Sequence, residues 1–133
     1  MWKRVFFIGA ILIFLSGCSV QTNKTEKLRD LDYTIVEETE IPEELKGILE
    51  EKKAESFKLT YEAEDSLYLC IGYGEQATGG YSISVNELYL SENAIYFDTN
   101  LIGPDPSETV AETVSCPYLV VKTEYLDKPV VFQ

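Results

Sequence analysis

Histidine is absent from all 133 residues. That removes the commonest general base, the usual partner of a serine or cysteine nucleophile and the usual zinc ligand. Basic residues are also scarce, 11 Lys and Arg against 23 Asp and Glu, for a formal net charge of −12. A chain so acidic repels phosphate backbones, which excludes nucleic acid as a natural partner. No internal repeat is visible. The one long apolar run, residues 5–15 broken only by Gly9, is too short for a hydrocarbon core that needs about 20 residues. What is present is apolar and aromatic: 45% hydrophobic content with nine Tyr and six Phe, too rich for a disordered acidic tail. The length allows one folded domain.

The N-terminus carries an address. Lys3 and Arg4 precede the apolar run, and Leu15-Ser16-Gly17-Cys18 follows it. A positive start, a short apolar stretch and small residues before a cut site read as a secretory signal. Leu15-Ser16-Gly17-Cys18 resembles a bacterial lipobox. The resemblance implies diacylglycerol transfer to the Cys18 thiol and cleavage before it, so residues 1–17 are expected to be a lipoprotein signal. Cleavage leaves nine basic against 23 acidic residues, a net charge of −14. Residues 18–30 are almost devoid of apolar side chains and read as a flexible tether. The expected location is the extracytoplasmic face of a bacterial cell membrane, held there by lipid.

Residues 31–133 read as the folded domain, mainly β with one amphipathic helix. Pro42 suits a first helical position, Glu43 and Glu44 the positive end, and Lys52 and Lys53 the negative end. Ile41, Leu45, Ile48 and Leu49 then form one apolar stripe. Seven short strands are expected, starting with residues 33–36. Phe57, Leu59 and Tyr61 alternate with polar neighbours, and residues 67–73 form a nearly continuous apolar strand covered on both sides. Tyr81, Ile83 and Val85 alternate in odd phase, but Leu88 and Leu90 are even, which predicts a β-bulge near Asn86 and Glu87. Residues 94–99, 118–123 and 130–132 complete the set. The expected architecture is an antiparallel β-sandwich or small barrel with the helix laid against it. The long connection at residues 102–115 holds Gly103, Pro104 and Pro106 and stays out of the sheet.

Chemistry-bearing groups are few. With Cys18 lipidated, Cys70 and Cys116 remain; outside the cytoplasm they either oxidise to a disulfide or stay as two small buried thiols. Glu62, Glu64 and Asp65 suit a solvated turn better than an acid/base pair. Asp98, Asn100 and Asp105 supply oxygens for calcium, but the spacing of a calcium-binding loop is missing. No metal, no cofactor and no enzymatic activity are expected.

One segment stands out. Gly72-Tyr73-Gly74-Glu75-Gln76-Ala77-Thr78-Gly79-Gly80-Tyr81 joins the two best strands, and its glycines permit positive φ and close approach of another backbone. Read from its residues alone, it is a flexible hairpin connection with Tyr81 starting the next strand. Thr78-Gly79-Gly80-Tyr81-Ser82-Ile83, followed later by Cys116-Pro117-Tyr118-Leu119-Val120-Val121, resembles the C-terminal domain of the protease complex subunit PrcB family over residues 67–132. The resemblance implies a β-domain that associates with a protease complex and catalyses nothing. It also implies a partner-binding loop made of Glu75, Gln76, Thr78, Gly79, Gly80 and Tyr81. Gln76-Ala77-Thr78-Gly79-Gly80 is similar in place to the Asn-Pro-Thr-Thr-Gly loop of chagasin-type cysteine-peptidase inhibitors. It has neither the Asn-Pro nor the second Thr, and no Arg-Pro-Trp counterpart exists. Alternative readings are therefore a cysteine-peptidase inhibitor and a purely structural envelope lipoprotein.

Overall fold

The computed structural model describes residues 26–133. Cys18, the signal and most of the tether lie outside them. Alternation in residues 56–63 and the apolar run after it become a hairpin. β3 (Ser56–Ala63) pairs with β4 (Ser66–Tyr73) in unbroken register from Ser56↔Tyr73 to Ala63↔Ser66. Its two-residue turn, Glu64 and Asp65, takes positive φ at both positions, the geometry whose twist matches that of the flanking strands. A second hairpin joins β5 (Ser82–Ser91) to β6 (Ile95–Ile102), and its register slips between Val85 and Glu87. The phase change in the sequence is therefore a bulge, and it keeps both Val85 and Leu88 turned inward.

β7 (Tyr118–Glu124) pairs with β4, and β8 (Val130–Phe132) returns to pair in parallel with β6. At the other flank, β1 (Lys27–Asp30) adds to β5 and β2 (Tyr33–Ile35) adds to β7, both antiparallel. The result is two four-stranded sheets, ordered β1-β5-β6-β8 and β2-β7-β4-β3. They form a sandwich, and no barrel closes.

Among the described residues there are eight strands, because residues 27–30 of the expected tether are β1. Its side chains are all exposed, so no apolar pattern announces it. Backbone pairing and charge hold it instead: Lys27 lies 5.2 Å from the Tyr89 ring centre, and Arg29 meets Glu124 at 3.1 Å.

β4 explains its own composition. Leu67, Leu69 and Ile71 face the first sheet and join Leu88, Ile95, Phe97 and Val121 in the main core. Tyr68 and Cys70 face the other way, into a second cluster with Ile41, Leu45, Leu49 and Val120. The helix α1 (Glu43–Lys52) covers that outer face, with Leu45 and Leu49 fully buried. Pro42 sits just before the helix with extended ψ rather than at its first position. Three layers follow: sheet, sheet, helix.

Candidate functional site

β4 and β5 both open onto one end of the sandwich, where the glycine-rich loop leaves the sheet. Gly74 turns the chain at φ +77°, and a Cβ there would lie 3.1 Å from the Ser56 amide nitrogen. Gln76 then exchanges backbone hydrogen bonds with Ser115 at 2.8 and 3.0 Å, and its side-chain amide donates to the Tyr73 carbonyl. The Ser115 hydroxyl donates to the Thr78 carbonyl at 2.7 Å, and the Gly79 N–H donates to the Ala111 carbonyl at 2.9 Å. Gly80 adopts φ +88°, and a Cβ on it would come within 2.6 Å of Val110 Cγ1 and 3.0 Å of Pro104 Cβ. Tyr81 is half-buried with its ring over Gly103.

The two loops, residues 74–81 and 103–117, are therefore one docked unit. The close approach that the glycines permit is taken up by the chain itself: by the second loop at Gly80, and by the backbone of residues 54–56 leading into β3 at Gly74. Gly79 needs no such freedom: it lacks positive φ, and a Cβ would find Ala111 at an ordinary 3.6 Å. Of the expected contact residues, Glu75 and Gly80 are exposed, whereas Gln76, Thr78, Gly79 and Tyr81 are partly covered. The outer surface of the pair also includes Ala77, Ala111, Thr113 and Val114, the last 58% exposed.

The second loop has its own internal order. The Asp105 carboxylate accepts from the Ser107 N–H at 2.9 Å and from the Ser107 hydroxyl at 2.8 Å, which holds its carboxyl below the usual range. Glu108 donates its N–H to the Asp105 carbonyl, and its carboxylate accepts from the Asp105 N–H. These bonds occupy Asp105, and Asn100 accepts from the Ser84 hydroxyl at 3.1 Å. Among the described residues no group of three or more His, Cys, Asp or Glu is placed to hold a metal ion.

A charge feature went unread in the sequence. Residues 59–121 contain no Lys or Arg and ten Asp or Glu, four of them (Glu75, Asp105, Glu108, Glu112) on these two loops. At the same end, Lys53 is paired with Glu50 at 3.1 Å. The exposed loop surface is acidic and carries no basic side chain of its own.

The two thiols are kept apart. Cys70 lies opposite Val120 in the β4–β7 ladder, and Cys116 is four residues further along. At ~3.3 Å per residue that is roughly 13 Å, about twice what a disulfide spans. Both are free; Cys70 is completely buried and Cys116 half-buried. Burial pushes the Cys70 thiol from its ordinary 9.0 up to about 12. Above pH 9 the unfolded chain gives up this proton while the folded chain keeps it, so stability falls as pH rises toward 12. Between pH 8.5 and 10 the wild type is expected to lose roughly 1 kcal/mol more than Cys70→Ala in urea titrations. Equal losses would mean that the thiol ionises freely in the folded state.

Residues 67–124, from the start of β4 to the end of β7 and including both loops, match the family model described as PrcB C-terminal. The resemblance carried by residues 78–83 and 116–121 is thereby borne out, over slightly narrower bounds than 67–132. That family is of the non-catalytic subunit type. No curated protein and no solved structure matches the chain.

Proposed function

We propose, with residues 67–124 read as a PrcB C-terminal segment, that the chain is a lipid-anchored, extracytoplasmic, non-enzymatic protein-binding domain that associates with or stabilises a protease complex. The family match supports this most directly, because the matched segment contains both loops that meet at one end of the sandwich. That end is a pre-formed surface. Its hydrogen bonds from Ser115 and Gly79 hold the loops before any partner arrives, which lowers the ordering cost of association. Its exposed residues combine small and apolar side chains (Ala77, Val114) with the carboxylates of Glu75 and Glu112, so the complementary surface is basic at its rim.

The anchor rests on Leu15-Ser16-Gly17-Cys18, and no helix among the described residues is long and apolar enough to cross a membrane. A lipid on Cys18 and a tether of residues 18–26 would hold the domain at the membrane face.

Affinity capture from membranes of the producing cells tests the reading, with the captured proteins identified by mass spectrometry. The wild-type chain is expected to recover protease-complex subunits. Val114→Arg, on an exposed position, is expected to cut recovery about tenfold while leaving the melting temperature unchanged. Recovery of no protease subunit, or equal recovery by the variant, would refute the loop end as the contact.

A further inference from the structure

The outer edge of β6 is only partly covered. β8 pairs with it from Ile95↔Val130 to Phe97↔Phe132, and Gln133 adds an N–H to the Phe97 carbonyl and accepts from the Thr99 N–H. Backbone groups alternate sides along a strand, so residues 95, 97 and 99 are the ones that face away from β5. The same alternation turns the Thr99 carbonyl and both backbone groups of Leu101 to the open edge, where no described residue bonds them. Natural edges are usually blunted by charge, proline or a bulge. Thr99, Asn100, Leu101 and Ile102 have none of these.

A second observation coincides with this edge. Phe57, Leu59, Tyr61 and Ala63 of β3 turn toward the helix. Lys58, Thr60 and Glu62 therefore turn toward the first sheet, and all three are exposed. A cleft of about 580 Å3 opens between the sheets here, lined by Lys58, Ile71, Tyr73, Thr99 and Leu101 among others. Lys58 carries the only charged side chain in that lining, and it has no hydrogen bond or ion pair among the described residues.

We propose that this slot takes an extended peptide segment of a partner protein, added as a strand on the 99–102 edge beyond β8. An apolar side chain of that segment enters the cleft against Ile71 and Leu101, and a carboxylate meets Lys58. Main-chain bonds supply the hold and the cleft supplies the choice of side chain. β6 runs straight into the second loop, so a strand seated here lies beside the loop end. The slot goes beyond the loop reading: it would stand even if Val114→Arg left partner capture unchanged.

The probe is a fluorescent acetyl-Thr-Val-Thr-Glu-Thr-amide peptide, whose Val and Glu share one face of the strand, titrated into the full chain in detergent. Saturable binding is expected, weakened about tenfold by N-methylation of alternate backbone nitrogens and about fivefold by Lys58→Glu. The same peptide with Lys in place of Glu should bind Lys58→Glu better than it binds the wild type. Lys58 is exposed, so this variant keeps the fold. Absence of saturation up to 1 mM, or indifference to N-methylation or to the charge exchange, would overturn the proposal. Dimerisation of the chain that blocks the peptide would also overturn it, since a second copy would then be the occupant.

Discussion

Gly80→Val is expected to destabilise the domain by roughly 2–5 kcal/mol and to separate the two loops at the end of the sandwich. Two costs add. A branched side chain at φ +88° is held in left-handed backbone, worth about 1–2 kcal/mol, and overpacking against neighbours adds about 1–3 kcal/mol. The neighbours are Val110 and Pro104 of the second loop, 2.6 and 3.0 Å from the new Cβ, so the strain relaxes only if that loop moves away. Gly79→Ala is the control. It has an ordinary φ and a 3.6 Å contact, and its effect should stay within about 1 kcal/mol, toward stabilisation if anything, because alanine narrows the unfolded ensemble. Urea denaturation gives the stabilities. Hydrogen exchange at the Gly79 and Ser115 amides, which bond across the loops, reports the separation. Equal destabilisation by the two variants would show that the loops are not docked as described.

How much of this was legible depends on whether a residue's role is local. The bulge near Asn86 was visible because a phase change in side-chain alternation has no other simple cause. The helix stripe and the doubly covered β4 were visible because burial demands apolar residues at fixed periods. β1 was not, since an edge strand held by backbone pairing, a Lys–Tyr contact and an Arg–Glu pair needs no apolar pattern. The parallel return of β8 onto β6 depends on where the last turn sends the chain.

Within the loop, sequence singled out a segment rich in glycine but not the residue that needs to be glycine. That distinction lies in Val110 and Pro104, 30 and 24 positions later, and no spacing rule connects them to Gly80. The sequence leaves the cysteines open between a disulfide and two thiols for the same reason: only the β4–β7 register shows that Cys70 faces Val120 and not Cys116. From sequence, Glu75 to Tyr81 is a loop awaiting a partner. Its first partner is the rest of its own chain.

Residues 67–124 alone are expected not to fold, although they carry the whole family match. They contain β4 to β7 but neither α1, β3 nor β8. In the intact domain Tyr68, Cys70 and Val120 are buried by Ile41, Leu45 and Leu49, and Phe97 packs edge-on against Phe132 with centroids 5.9 Å apart. Cutting the flanks strips the outer face of β4 of its helix and takes Leu31 and Phe132 out of the main core. Truncating one of those leucines already measures the scale: Leu49→Ala in the full chain should lose about 2–5 kcal/mol, against a total of about 5–15 kcal/mol for a domain of this size. Removing the entire helix, with β3 and β8, therefore exceeds what the domain can lose. Circular dichroism and urea titration of the 67–124 segment should show no cooperative transition, and residues 26–133 should show one. The loops would then lack the strands that aim them, so the short segment should also fail to recover the partner. A sigmoidal unfolding curve from residues 67–124 would mean that the helix and flanking strands are accessory, and that the loop end stands on four strands alone.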